Sequence, residues 1–332
     1  MNRQILSIFI FISAAVLSGC TKDDNEPLRQ STVSRLYVSN ADTDASVMST
    51  LIFDPADGAK LDSPDKFDTK LPDGNGIFFD PYSGTVYQVS RQAKNIRTFT
   101  VKTDGSLAIK GSFIDDALPS AREIAFDRTR KMLYVASNTD SAIYVYAGVD
   151  TIASRAQATK KLKLNGQPWG IHLEDDNLYV VIDQNRVEVQ LFETASSLQV
   201  GTIDTKKKIT IAGATRLHGI TYSSSRDAII LTDIGTAASN SDGAIHIVTA
   251  VGAKFTAGGS VTPTRTISGS ATLLGNPVDV AWDTRTDKDL IYIAEKANQK
   301  ILVFKFPDTG NAAPSLSATL TSFPEAIYLD AR

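Results

Sequence analysis

The chain has 332 residues, 42 % of them hydrophobic and 21 % charged, with a net charge near −3. That balance excludes the strongly basic footprint of a nucleic-acid binder and gives no general pull toward anionic lipid. A single cysteine, Cys20, excludes an intrachain disulfide and a thiolate cluster for zinc, and three histidines make a multi-histidine metal centre improbable.

In chain order, residues 1–4 carry Arg3, residues 5–16 form a largely apolar run, and Leu17, Ser18, Gly19 and Cys20 follow. The run is too short to span a bilayer and has the layout of a secretory signal. Leu-Ser-Gly-Cys resembles the lipobox of bacterial lipoproteins, which implies cleavage before Cys20 and a diacylglycerol on its thiol. The acidic stretch at 21–26, TKDDNE, resembles the surface-export signal of Bacteroidetes lipoproteins; a plain solvated linker is the alternative. The expected layout is a signal peptide at 1–19, a lipidated Cys20 with a flexible tether to residue 34, and one folded domain over 35–332. The expected location is the outer membrane, lipid-anchored, with the domain at the cell surface or facing the periplasm, and the domain is expected to be monomeric.

The folded part repeats one phrase, clearest at 122–146 (REIAFDRTRKMLYVASNTDSAIYVY), which predicts strands at 123–127, 132–136 and 143–146. Its opening recurs as GIFFD, EIAFD, GIHLE, GITYS, DVAWD and AIYLD. The aliphatic residues in these phrases are Ile77, Ile124, Ile171, Ile220, Val280 and Ile327, spaced by 47, 47, 49, 60 and 47 residues. That period, with three or four strands per unit, predicts a β-propeller. The first folded residues, RLYVSN at 35–40, match the second strand of the repeat, and the missing first strand stands at the other end as PEAIYLD, 324–330. The expectation is therefore an all-β, six-bladed propeller. Its C-terminal inner strand joins the N-terminal strands in one mixed blade, which leaves no open edge in the ring. Blade 5 is the long one, with extra residues at 233–243 and 252–262; the first stretch is a candidate lid. The lysines at 160, 161, 163 and 206–208 fall on expected outermost strands, where lysine blocks edge pairing.

No nucleophile elbow, zinc motif, phosphate-binding glycine loop or calcium loop occurs. Geometry points to the channel mouth, where inner strands start and second strands end. The residues just before the inner strands are Glu325, Asn75, Arg122, Trp169, His218 and Val278, with Asp279 one step further in. Second-strand ends add Asn40, Arg91, Asn138, Asp183, Asp233 and Lys296. Trp169 and His218 exceed what turn chemistry requires, so Trp169 is expected to stack on a ligand ring or sugar face while Arg122, His218 and Asp183 orient it.

The grammar Pro-x-Gly-Ile, Leu-Tyr-Val and Ile-x-Val-Phe resembles the NHL and YVTN (YncE-like) propeller families, carried by Pro168 to Ile171, Pro277 to Val280 and Leu36 to Asn40. Those motifs are architectural and imply a fold more than an activity. The chain is also similar to the six-bladed gluconolactonase-like family, and that resemblance implies a divalent ion such as calcium on Glu325, Asn75 and Asp279. Asp279 stands one residue off the family pattern, and the family's second Asn has no counterpart. The leading expectation is an envelope lipoprotein that binds a small ligand, glycan or protein at the channel mouth without a cofactor. Metal-dependent lactone or ester hydrolysis is the alternative, and scaffolding within an envelope complex is the third.

Overall fold

Runs such as AIYVYA at Ala142–Ala147 are apolar at every position because both faces of each sheet are buried between neighbouring blades. Alternate residues serve opposite sides. Leu133, Val135, Tyr144 and Tyr146 pack toward blade 2, whereas Tyr134, Ala136, Ile143 and Val145 pack toward blade 4. The aspartate that closes the repeated phrase is a turn former. Asp80 accepts from Ser83 Oγ at 2.7 Å, Asp127 from the Arg130 N–H at 2.9 Å, and Asp283 from the Arg285 N–H at 3.1 Å.

The computed structural model describes residues 32–44, 47–61, 63–149, 154–184 and 186–332. The signal segment, Cys20 and the tether up to residue 31 lie outside the described residues. Residues 33–332 form one unit of six sheets, one per blade, each with four antiparallel strands. The inner strands are Pro324–Ala331, Gly74–Asp80, Ala121–Asp127, Pro168–Glu174, Leu217–Ser223 and Pro277–Asp283, for blades 1 to 6. Each touches the next around the ring, and the sixth touches the first. Blade 1 is mixed, as expected: Pro324–Ala331 runs antiparallel to Ser34–Asn40, with Tyr328 opposite Tyr37. The strand begins earlier than expected. Val33 and Arg332 exchange backbone hydrogen bonds of 2.8 and 2.9 Å, so residues 33 and 34 belong to the closure and not to the tether.

Two other expectations are corrected. The lysine-bearing strands Lys160–Lys163 and Lys208–Ile211 are not outermost, because each gains a short parallel strand from the following blade, Gly201–Thr202 and Gly259–Val261 respectively. Bridges from Arg155 to Ile114 and from Gly310 to Ile267 do the same for blades 2 and 5. The lysines are spent locally: Lys160 Nζ donates to Ser196 O, Lys161 pairs with Asp140, and Lys207 pairs with Glu193. The second blade-5 insert is a helix, Val251–Ala257, that leads into the donated strand and buries Val251 and Phe255 in the blade 4–5 core. The first insert packs sideways. Ile234 joins the core beside Val278 and Ile301, and Asn240 O accepts from Asn298 Nδ2 at 3.2 Å.

Candidate functional site

Every inner strand carries a register shift at its start, such as Pro168 opposite Ile182 followed by Ile171 opposite Val180. The same irregularity occurs in all six blades. An extra residue at a bulge turns two consecutive side chains toward one side. Pairs such as Arg122 with Glu123, Val278 with Asp279 and Glu325 with Ala326 therefore both line the passage at the ring axis.

The rim residues named from sequence do meet, but mostly on one another. The Arg122 guanidinium carbon lies 3.9 Å from the Trp169 ring centroid, and the His218 ring stacks on the same indole at 3.7 Å with 13° between planes. Two groups that close to one centroid occupy opposite faces of the indole. Glu325 sits 3.9 Å from Arg122 and accepts a hydrogen bond from Lys296 Nζ. Asp183 accepts from Arg216 Nε at 2.6 Å and lies 3.5 Å from His218 Nε2. Burial lowers the basicity of Arg122 to about 10 and also lowers that of His218. Burial alone would raise the Asp183 and Glu325 carboxyls, yet the cations beside them hold both below the ordinary range. This knot leaves a void of only about 10 Å³ at the mouth.

The remaining predicted residues have structural partners. Arg91 donates to Asp73 at 2.7 Å, Asn138 Oδ1 accepts from Ser120 Oγ at 3.1 Å, and Asn40 Nδ2 donates to Met48 O. Asp233 accepts the N–H groups of Thr215, Arg216 and Gly235 and holds His246 at 3.2 Å. The 233–243 insert contributes nothing to the lining of the mouth.

The open space is on the other face. A cavity of about 590 Å³ runs from the throat to the far ends of the inner strands. Its walls carry the rings of Phe78, Phe126, Tyr222, Trp282 and Tyr328, and His172 stands 3.8 Å from Glu174 there. Glu123 and Asp279 line both this funnel and the small void, so they mark the throat between them. Burial pushes both carboxyls up, Asp279 to about 7 despite backbone N–H donors; repulsion from Asp279 and Glu325 adds to the shift at Glu123, and from Glu325 at Asp279. Glu123 lies one residue inside the rim, so the rim pattern in the sequence does not reach it. Its signal was there, since REIAFD carries an acid where GIFFD, GIHLE and GITYS carry glycine.

The calcium set implied by the gluconolactonase resemblance does not fit these residues. Glu325 is committed to Lys296 and Arg122, and only Asn75 of the set keeps an unpaired oxygen, Oδ1. A divalent ion would face two cations there. Among the described residues no three His, Cys, Asp or Glu side chains converge on one point.

The sequence matches no family model and no curated protein. Solved structures resemble the fold. A protein from Lactobacillus plantarum matches at TM-score 0.62 and 12 % identity, over 90 % of this chain and 99 % of its own. A chain of a nidogen/laminin complex matches at 0.60 and 13 %, over 90 % and 98 %. A periplasmic gluconolactonase of Pseudomonas aeruginosa matches at 0.53 and 12 %, over 90 % and 99 %. At such identities the likeness shows the propeller fold alone.

Proposed function

We propose that the chain is a binding module that takes a small molecule into the funnel opposite the predicted mouth, held at the outer membrane by lipid on Cys20. The observation that carries this reading is the contrast in free volume, about 590 Å³ in the funnel against about 10 Å³ at the mouth. A few hundred cubic ångströms lined by aromatic rings with a few polar groups is the ordinary character of a ligand pocket. Exposed large apolar residues (Met48, Tyr82, Ile109, Val200, Leu273 and Phe323) are spread over several blades, which among the described residues gives a scaffolding role no broad apolar face.

Lactone hydrolysis is the second reading, supported by fold likeness to a gluconolactonase and by the carboxyl pair at the throat. It would run on Glu123 and Asp279 without calcium. Fold likeness to a nidogen/laminin complex weighs equally for binding, so the site must decide.

The test is a melting screen of the full chain against small envelope metabolites and sugar lactones, with Thr221→Trp as a variant that fills the funnel. A hit should raise the melting temperature of wild type and of Trp169→Ala, and not that of Thr221→Trp. A hit kept by Thr221→Trp and lost in Trp169→Ala would return the site to the mouth. Turnover of a lactone, lost in Asp279→Asn, would favour hydrolysis. Cys20→Ser should abolish incorporation of labelled fatty acid; retained labelling would remove the anchor.

A further inference from the structure

One ring of equivalent positions surrounds the throat: Gly76, Glu123, Gly170, Gly219, Asp279 and Ala326, each just before the aliphatic residue of its inner strand. Four of the six have no side chain or only a methyl. Glu123 and Asp279 belong to blades 3 and 6, which stand opposite one another in a six-bladed ring. The two carboxyls are thus the functional groups at this level of the throat.

Neither carboxyl has a counter-ion. Glu123 Oε1 accepts from the Ile124 N–H at 2.8 Å and Asp279 Oδ2 from the Ile327 N–H at 2.7 Å, and among the described residues no Lys, Arg or His forms an ion pair with either. The nearby cations, Arg122 and Lys296, are turned to Glu325 on the mouth side. A second observation points the same way. Asn75 lines the same throat, is 1 % exposed, and its Oδ1 has no hydrogen-bond partner. Asn75 Oδ1 and the ionised forms of the two carboxyls are thus acceptors that no cation of the chain pairs with directly, and a donor that brings positive charge would satisfy them.

The funnel wall continues the pattern. Glu174 and Asp175 add acidic groups, and Arg128 is held by Asp80 at 2.7 Å. Phe78, Tyr222 and Tyr328, which are only half-buried, present ring surface on which a cation or an apolar body rests favourably, while Phe126 and Trp282 are buried against Tyr87 and Phe306.

Resting on the funnel reading above, we propose that the ligand is an organic amine. Its ammonium group donates to Glu123 and Asp279 at the throat, and its apolar or aromatic body lies against the rings of the funnel. An ammonium carries three N–H donors and one positive charge, which matches two carboxyls and the free Asn75 acceptor. A neutral alcohol of the same shape would supply one donor and no positive charge to favour the ionised carboxyls.

The experiment is isothermal titration of the full chain with 2-phenylethylamine and spermidine, and with 2-phenylethanol as the neutral counterpart of the first. At least one amine should bind, 2-phenylethanol should bind at least tenfold more weakly than 2-phenylethylamine, and Thr221→Trp should abolish the binding. Glu123→Gln with Asp279→Asn should remove the preference for the amine; this variant removes two buried carboxyls that no counter-ion meets and should melt no lower than wild type. Should it fail to fold, Asp279→Asn alone should still weaken amine binding by tenfold or more. Equal affinity for amine and alcohol, both blocked by Thr221→Trp, overturns the amine and leaves the funnel reading standing. Binding by neither amine overturns the inference outright. Amine binding indifferent to all variants is surface association and overturns both readings.

Discussion

Between Arg122 at 3.9 Å and His218 at 3.7 Å, the indole of Trp169 is the middle layer of a stack contributed by blades 3, 4 and 5. The sequence marked Trp169 and His218 as more than turn chemistry needs, and rightly brought them with Arg122 to one rim. It could not tell a platform for a ligand from a platform for a neighbour, because the partners lie 47 to 49 residues away. Trp169→Ala should remove stacking and cation–π contact and cost about 2–4 kcal/mol, read from urea unfolding midpoints. A loss below about 0.5 kcal/mol, the range of ordinary surface substitutions, would mean that the stack is not a structural tie. Asp279 predicts a pH dependence. Its folded value of about 7 stands above the roughly 3.9 of an unfolded aspartate. Between those values the folded state keeps a proton that the unfolded state has lost, so stability falls as pH rises from about 4 to 7. Glu123 adds a slope of the same sign. Asp183 and Glu325 act oppositely: their pKa values are depressed, so their contribution is present above about pH 4–5 and fades as pH falls through their folded values. Asp279→Asn should flatten the decline from pH 4 to 7 and raise stability at pH 8 by on the order of a few kcal/mol. An unchanged slope in that variant would show that the throat carboxyl is not its source.

Inner strands crowd at the axis, and the glycines of the repeated phrase answer that crowding. A Cβ on Gly219 would sit 2.6 Å from the Asp279 Cα, and one on Gly170 would sit 2.2 Å from the His218 carbonyl oxygen. Neither neighbour is a flexible side-chain end, so blades 5 and 6 would have to part to admit a methyl group at Gly219. Gly219→Ala should therefore lose about 1–3 kcal/mol or more in thermal or urea unfolding. Gly58→Ala, whose Cβ would meet nothing nearer than 3.4 Å, should stay within about 0.5 kcal/mol of wild type. Equal effects at both sites would remove close approach as the reason for glycine. Strand positions were legible at this scale because apolar runs broken by turn formers recur at a fixed period. The bulges were not, since one extra residue leaves the apolar count unchanged and shows only in the pairing of Pro168 and Ile171 with Ile182 and Val180. Nor were the donated strands legible, since Gly201–Thr202 and Gly259–Val261 are too short to show alternation. That omission is why the lysine strands were expected to be outermost.

Closure of the ring decides which parts of the molecule depend on one another. Six blades contribute six interfaces, and the interface between first and last rests on Pro324–Ala331 alone as inner strand. Without it, Leu36, Val38 and Tyr37 on the second strand of blade 1, and Ile77 and Ala281 on the flanking blades, would lose the cover that Ile327, Ala326 and Leu329 help to give. The mixed blade was legible from two incomplete repeats at opposite ends, while the side on which the channel opens was not. That side depends on how much of the passage the rim residues fill, a sum over six side chains whose rotamers no periodic pattern encodes. Deleting residues 324–332 should abolish the cooperative unfolding transition and increase binding of a hydrophobic dye, because an unclosed sheet ring exposes both apolar surface and strand edge. A permutant tests the same point without removing a side chain. Val33 and Arg332 already exchange hydrogen bonds, so joining 332 to 33 by a short linker and opening the loop near Asn165 should leave a cooperative transition within a few degrees of wild type. If the truncated chain still unfolds in one sharp transition, the blades stay coupled through their remaining interfaces and closure is not what couples them. If truncation fails while the permutant melts normally, the continuity of the ring, and not the position of the chain ends, holds the funnel and its throat in place.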